Sequence, residues 1–164
     1  MEINLIAVPY KKKFVLQNLL ELYLYDMSEF SDEQDKMDIN EGGLFGYKYL
    51  DHYWTEDGRY PYFIIADGVL SGLCLIRTME QLPLTFEVAE FFVLKKYRKS
   101  GVGKTAMSQV FERYKGRWII NTPIKNLAAQ SFWRKVVENA AHSAFTEGLI
   151  EAGRRKEWTF SNNK

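Results

Sequence analysis

The chain reads Glu90-Phe91-Phe92-Val93-Leu94-Lys95-Lys96-Tyr97-Arg98-Lys99-Ser100-Gly101-Val102-Gly103 where an apolar segment meets a glycine loop. The apolar residues predict a strand over Phe86 to Leu94. Apolar residues at positions i, i+3, i+4 and i+7 predict a helix from Thr105 to Tyr114. The segment therefore predicts a strand, a glycine loop and a helix in direct succession.

The rest of the chain alternates strands and helices. The other predicted strands are Ile3 to Val8, Tyr62 to Ala66, Val69 to Ile76, Arg117 to Asn121, and a final pair at Ala144-Phe145 and Glu157 to Phe160. The other predicted helices are Lys11 to Phe30 and Lys125 to Ala140. Asp67-Gly68 between two apolar runs predicts a tight hairpin. This order of elements predicts a mixed α/β (α+β) domain, which we expect to span residues 1–164 as a single domain.

Composition excludes several classes of function. Of the 164 residues, 46% are hydrophobic and 15% aromatic, which is enough for a folded core. A formal net charge of +1 gives no reason to expect a nucleic-acid or membrane partner. No apolar run approaches the roughly 18 residues of a membrane span. We expect a cytoplasmic protein, and the sequence leaves a homodimer open.

No metal site is predicted. The single cysteine, Cys74, lies in an apolar run and is expected to be a buried thiol. The two histidines, His52 and His142, lack the spacing of metal ligands and are expected to be surface or hydrogen-bonded residues.

The glycine loop has the chemistry of an anion site. Glycine lets backbone N–H groups approach a ligand closely, and a helix N-terminus adds unpaired donors and a positive dipole end. Arg98, Lys99 and Lys104 add positive side chains. The loop is therefore predicted to bind a phosphate-bearing ligand, and the alternative interpretation is a solvated basic turn.

A nucleotide-binding P-loop is a second alternative for the same residues. Ser100-Gly101-Val102-Gly103-Lys104-Thr105 is similar to the end of the pattern G-x-x-x-x-G-K-[ST]. The first glycine of that pattern is replaced by Arg98. The next predicted strand ends in Asn121-Thr122 and not in the aspartate expected to hold magnesium. Both departures disfavour a P-loop.

Two separated motifs resemble the GNAT superfamily of N-acetyltransferases. Arg98-x-x-Gly101-x-Gly103 resembles the family's acyl-CoA loop, Arg/Gln-x-x-Gly-x-Gly/Ala. Asn126-x-x-Ala129-x-x-Phe132-Trp133 is similar to its Asn-x-x-Ala-x-x-Phe-Tyr helix, and a subgroup of predicted acetyltransferases is especially similar. The resemblance covers nearly the whole chain and implies a GNAT-like acyl-CoA N-acyltransferase fold, a mixed central sheet of about seven strands flanked by helices.

The resemblance also implies a reaction and its cofactor site. A primary amine of a small molecule or peptide would attack acetyl-CoA directly. Strand residues Phe91, Phe92 and Val93 would adjoin the pantetheine arm, with the backbones of Phe91 and Val93 pairing with it, and Asn126 would contact it. The residues implied to hold the diphosphate are Arg98, Lys99, Ser100, Gly101, Val102, Gly103 and Lys104.

Glu90 and Glu87 are the candidates for the base that takes a proton from the substrate ammonium. A carboxylate in so apolar a strand is desolvated, which raises its pKa toward the working range. Residues three apart face opposite sides of a regular strand, but the resemblance implies a bulge that blurs this parity. Glu90 is preferred, and a structural ion pair is the alternative for either residue.

Trp133 departs from the family pattern. It stands among the implied cofactor contacts where the family often has a tyrosine that protonates the leaving thiolate, but an indole N–H is not a useful acid. A CoA-binding module with little or no catalysis is therefore an alternative function. The aromatic segment before the hairpin is implied to form a wall of the acceptor site through Tyr47, Tyr53 and Trp54, with core packing as the alternative.

Overall fold

The computed structural model describes residues 1–141 and 144–163. The strands are β1 (Ile3–Ala7), β2 (Arg59–Ala66), β3 (Val69–Thr78), β4 (Thr85–Val93), β5 (Arg117–Pro123), β6 (Phe145–Ile150) and β7 (Arg155–Ser161). The helices are α1 (Lys13–Ser28), α2 (His52–Thr55), α3 (Val102–Arg113) and α4 (Leu127–Ala140). Short 3₁₀ turns precede α1 and follow β4 and β6.

The strands form one mixed sheet in the order β1-β2-β3-β4-β5-β7-β6. Neighbouring strands are antiparallel except β4 and β5, which run parallel and are connected through α3. The predicted mixed sheet of about seven strands flanked by helices is therefore confirmed.

Each face of the sheet carries its own apolar core. Helices α3 and α4 cover one face through a cluster that includes Val110, Trp118, Val136 and Trp158. Helix α1 and the segment around Leu50 pack on the other face, where their apolar partners come from β2, β3 and β4. The members of this second core do not extend to β5 or β7. Cys74 is fully buried, as predicted.

The two parallel strands separate along their length. They pair only where Thr85 to Glu87 lies beside Arg117 to Ile119. Beyond Glu87, β4 keeps its bonds to β3, and β5 keeps its bonds to β7. A V-shaped opening therefore lies in the middle of the sheet, between the second half of β4 and the end of β5.

A β-bulge at Ala89 determines on which face of the sheet the residues beside this opening lie. Glu90 pairs with Leu75 and Val88 pairs with Ile76, so Ala89 has no partner on β3. Glu87 pairs with Arg77, two residues from Leu75. Cross-strand partners share a face, and so do residues two apart in a strand. The bulge thus places Glu87 and Glu90 on the same face, where an unbulged strand would separate them.

Most differences from the sequence prediction lie at the ends of elements. Helix α3 begins at Val102, before the predicted Thr105, because Gly101 adopts a left-handed φ of 88° and starts the helix. The last two strands extend well beyond the short segments predicted for them. His142 lies outside the described residues. No helix within the described ranges is long and apolar enough to span a membrane.

Candidate active site

One edge of β4 faces the opening with free backbone groups. The amide of Leu94 donates to the carbonyl of Ser71 on the β3 side at 2.9 Å. Backbone groups alternate in direction along a strand, so the amides of Phe91 and Val93 point toward the opening. Their side chains pack away from it, since Val93 is buried and Phe91 stacks on Phe132 with ring centroids 5.5 Å apart. An extended chain could therefore add to this edge as a further strand.

Arg98 ties the glycine loop to its surroundings. Its Nε donates to the carbonyl of Val93 at 2.8 Å, and its Nη2 donates to Asp26 of α1 at 2.6 Å. Lys95 adds a second ion pair to the same aspartate at 3.3 Å. The Arg98 guanidinium is therefore engaged within the protein, and it fixes where the loop leaves the strand.

The loop presents a row of unpaired amides. The amide of Thr105 donates to the Gly101 carbonyl at 3.0 Å. In the described part of the chain, the amides of residues 99–104 make no hydrogen bond to an acceptor outside α3. The first amides of a helix also lack partners within the helix. This row of donors at a helix N-terminus is suited to an anion with several oxygen atoms.

The two loop glycines differ in their surroundings. Gly101 has a φ of 88°, and a Cβ built on it would meet nothing within 4 Å. A Cβ on Gly103 would lie 3.1 Å from the ring of Phe132 on α4. Gly103 therefore allows α3 and α4 to pack closely, whereas Gly101 is needed for its backbone conformation.

Glu90 accepts two hydrogen bonds from tyrosines. Tyr23 of α1 donates at 2.5 Å to one oxygen, and Tyr47 donates at 3.1 Å to the other. Burial raises the pKa of the Glu90 carboxyl, while these hydrogen bonds and the charge of Arg155 act in the opposite direction. The residue is half-buried and lies at the opening. Its carboxyl group therefore combines a raised proton affinity with a place beside the free edge of β4.

Glu87 belongs to a chain of polar side chains that crosses the opening. Arg77 on β3 forms an ion pair with Glu87. Asn121 on β5 donates through Nδ2 to Glu87 at 3.4 Å, and Arg155 on β7 donates through Nε to Asn121 at 2.7 Å. Glu87 is thus committed to a structural ion pair, which leaves Glu90 as the carboxylate suited to accept a proton.

The three aromatic residues predicted for the acceptor site, Tyr47, Tyr53 and Trp54, lie in two different places. The hydroxyl of Tyr53 is buried with no hydrogen-bond partner among the described residues, and its pKa is raised by burial and then by the negative charge of Glu90. Trp54 lies elsewhere, because its indole N–H donates to the carbonyl of Val8 at 2.9 Å and its ring meets Tyr10 edge-on. Tyr47 and Tyr53 are therefore brought toward Glu90, and Trp54 is held against the 3₁₀ turn before α1.

Asn126, which precedes α4, and Trp133, which lies within it, both have structural partners. The side-chain oxygen of Asn126 accepts from the amide of Ala129 at 3.0 Å and caps the helix. Trp133 is 6% exposed and packs against Phe91 and Phe132, with ring centroids 5.2 and 4.9 Å away. Trp133 therefore lies in the core, and only the Nδ2 group of Asn126 remains for a ligand.

Several residues of this site escape sequence reasoning. The helical pattern places Tyr23 on an apolar face and gives it no further role, and it says nothing of Asp26, Arg77, Asn121 or Arg155. These residues come from α1, β3, β5 and β7, so no single local motif contains them. The one available signal is a hydroxyl on an otherwise apolar helix face, and it points to Tyr23.

Comparison with known proteins supports an assignment of family. A model described as the acetyltransferase (GNAT) family matches residues 19–137. Comparison with curated proteins gave no match. The described fold is similar to an acetyltransferase from Thermus thermophilus, with a TM-score of 0.73, 11% identity, and coverage of 98% of this chain and 97% of that one.

Two further solved structures share the architecture. A GNAT-family acetyltransferase from Staphylococcus aureus has a TM-score of 0.65 and 17% identity, covering 99% of this chain and 100% of the other. The PaiA N-acetyltransferase of Thermoplasma acidophilum, solved in complex with coenzyme A, has a TM-score of 0.66 and 12% identity over 98% and 99% of the two chains. Likeness at these identities concerns the fold.

Proposed function

The chain belongs to the acetyltransferase (GNAT) family, and on that premise we propose that it transfers the acetyl group of acetyl-CoA to a primary amine of a small molecule or peptide. The observation that carries the proposal is the alignment of three features at one opening of the sheet. They are a free strand edge, a loop of unpaired amides and a half-buried carboxylate. A P-loop ATPase would not need the first of them.

The opening fits coenzyme A in two parts. The amides of residues 99–104 would hold the diphosphate through backbone donors, with Lys99 and Lys104 adding charge at the rim. The free edge of β4 at Phe91 and Val93 would pair with the amide groups of the pantetheine arm. The Nδ2 group of Asn126, at the start of α4, would donate to the same arm.

Acetyl-CoA, when bound, supplies a thioester whose carbonyl carbon an amine can attack. The attack forms a C–N bond and breaks the C–S bond; the thiolate leaves with the electron pair, and the attacking nitrogen loses its surplus proton to solvent. Glu90 takes the proton that the substrate ammonium must lose, directly or through water. Its raised proton affinity brings it nearer to the pKa that this role requires.

The leaving thiolate takes its proton from solvent in this proposal. Trp133 is buried in the core and its N–H is not an acid in the useful range. A thiol has an unperturbed pKa of about 8.5, so a thiolate is a stable leaving group near neutral pH. The departure at Trp133 is therefore compatible with catalysis.

Replacing Tyr47 with phenylalanine should move the acid limb of the pH profile to higher pH. The Tyr47 hydroxyl stabilises the charged form of Glu90, so its loss raises the pKa of that carboxyl. Activity falls as pH falls through this pKa because a protonated carboxyl cannot accept a proton. A hydrogen bond to a charged group contributes about 1.5 kcal/mol or more, and about 1.4 kcal/mol corresponds to one pH unit. We expect a shift of about one unit in the profile of kcat/KM.

Tyr25→Phe is the matched control for this variant. Tyr25 lies on α1 and is 69% exposed, so its hydroxyl touches no part of the site. Its profile should overlay that of the unchanged protein with the same amine. An acid limb that stays in place in Tyr47→Phe, or moves to lower pH, would show that Glu90 does not set it.

The function itself is tested by thiol release from acetyl-CoA across a panel of primary amines. We expect release that depends on the amine, and thermal stabilisation by acetyl-CoA but not by Mg-ATP. Stabilisation without release by any amine would favour the CoA-binding module. Stabilisation by Mg-ATP alone would favour the P-loop alternative and overturn the proposal.

A further inference from the structure

The floor of the opening is built from charged and polar side chains on the face that α3 and α4 do not cover. On β7, Trp158 and Phe160 point into the core beneath those helices. The alternation of a strand places Arg155 and Glu157 on the opposite face. The same alternation on β5 places Asn121 there, since Trp118 and Ile120 are buried on the other side.

Arg155 reaches across β5 toward the opening. Its Nε donates to the side-chain oxygen of Asn121 at 2.7 Å, and Asn121 in turn reaches Glu87 on β4. Arg155 and Glu90 lie on the same face of the sheet, and the positive charge of Arg155 lowers the pKa of both Glu90 and Tyr23. Arg155 and Glu90 therefore face the same space from opposite sides of the opening.

The terminal nitrogens of Arg155 have no ion-pair partner in the part of the chain that the structure describes. The ion pairs within these residues use Arg59, Arg77, Arg98, Arg134 and Arg154, but not Arg155. The nearby carboxylate of Glu87 is occupied by Arg77. One edge of the Arg155 guanidinium fork is thus available to a ligand, and such a fork matches the geometry of a carboxylate.

We propose that the acceptor carries a carboxylate close to its amine, with Arg155 binding the carboxylate and Glu90 receiving the proton of the amine. The inference rests on the proposed acetyl transfer and specifies its substrate class as amino acids or similar zwitterions. A carboxylate held by Arg155 fixes the distance and direction of the neighbouring amine, which orients it for attack. The arrangement pairs each charge of the substrate with the opposite charge in the protein.

A polycationic amine fits this floor less well. Glu157 has no ion-pair partner among the described residues and could attract a second ammonium group. Glu157 pairs with Asn121 across β7 and β5, and its pKa is raised by burial and then by the negative charge of Glu87. A second ammonium group at Glu157 would lie close to Arg155, because Arg155 reaches Asn121 opposite Glu157, and the two positive charges would repel. The zwitterion is therefore favoured, and a diamine is an outcome that the test can detect.

The test uses matched triplets of acceptors, an L-amino acid, its carboxamide and the amine that lacks the carboxylate, and a diamine is measured beside them. We expect kcat/KM to be about 10- to 100-fold higher for the amino acid than for the other two, as a charge-assisted hydrogen-bonded pair would give. Arg155→Gln should remove this preference, so that the ratio of kcat/KM for the amino acid to that for its carboxamide falls to about one. Arg155→Lys should keep part of it, because lysine retains the charge but not the fork.

Lys156→Gln is the matched control. Lys156 is the next residue on β7, points to the other face and pairs with Glu147, so its loss should leave the preference intact. Equal or better use of carboxamides and diamines by the unchanged protein would overturn the inference while supporting amine acetylation. An equal loss of activity toward all three acceptors in Arg155→Gln would also overturn it, since that marks a structural role. Absence of thiol release with every acceptor would count against the proposed acetyl transfer itself.

Discussion

Replacing Gly101 with aspartate should weaken coenzyme A binding by about 100-fold. Gly101 starts α3 with a φ of 88° and has open space where a side chain would stand. An aspartate there fits without a clash, but it places a negative charge beside the amides that would hold the diphosphate. Two unit charges about 4 Å apart repel by several kcal/mol near a protein surface, and about 2.7 kcal/mol corresponds to 100-fold. Calorimetric titration with coenzyme A measures the change.

Gly68→Asp separates the effect on binding from that on folding. Gly68 lies in the hairpin between β2 and β3, has a φ of 78°, and also has nothing within 4 Å of its Cβ position. The left-handed conformation therefore costs both variants about 1 kcal/mol of stability. Coenzyme A affinity should be unchanged in Gly68→Asp. Equal affinity in the two variants would place the diphosphate away from the loop.

Replacing Glu90 with glutamine should lower kcat by about 100- to 10,000-fold, the range associated with loss of a general base. Glutamine keeps an oxygen that accepts from Tyr23 or Tyr47, so the local structure should persist. Acetyl-CoA affinity should change by less than about twofold, because the carboxylate acts on the acceptor and not on the cofactor. Thiol-release assays and titration with acetyl-CoA measure the two effects separately.

Glu87→Gln is the informative comparison. Glu87 shares the face and strand of Glu90 but forms an ion pair with Arg77. Its replacement should reduce stability and lower kcat by less than about tenfold, since it removes a positioning contact and not the base. A drop in Glu87→Gln that exceeds the drop in Glu90→Gln would transfer the role to Glu87. Full activity in Glu90→Gln would assign proton removal to water.

The loop can be located from the sequence because its determinants are local. A strand, Arg98-x-x-Gly101-x-Gly103 and an apolar helix lie within about thirty residues, and each part is visible in residue type and spacing. The order of elements follows from apolar runs and one Asp67-Gly68 turn. The same observations predict a mixed α/β domain, whereas one mixed sheet of about seven strands is what the family resemblance implies.

The face of the sheet on which each glutamate lies cannot be derived from the sequence in the same way. Strand parity puts Glu87 and Glu90 on opposite sides, and the bulge at Ala89 reverses that relation. A bulge depends on how β3 pairs with β4, which neither strand encodes alone. The choice between the two carboxylates also depends on Arg77, which occupies Glu87, and on Tyr23, which lies 67 residues from Glu90.

Where the sequence allows a side chain two roles, tertiary contacts likewise decide between them. Arg98 has the charge of a phosphate ligand, but the structure commits its guanidinium to Asp26 and the Val93 carbonyl. The anion site proposed here therefore consists of backbone amides, with the arginine holding them in place. Trp133 has the position of a cofactor contact in the family pattern, but the structure buries it in the core.

A crystal structure with coenzyme A bound tests the central claim most directly. Oxygen atoms of the diphosphate should lie about 2.7–3.2 Å from amide nitrogens of residues 99–104, with the pantetheine arm along the free edge of β4. A diphosphate bound elsewhere, with those amides facing only water, would contradict the account.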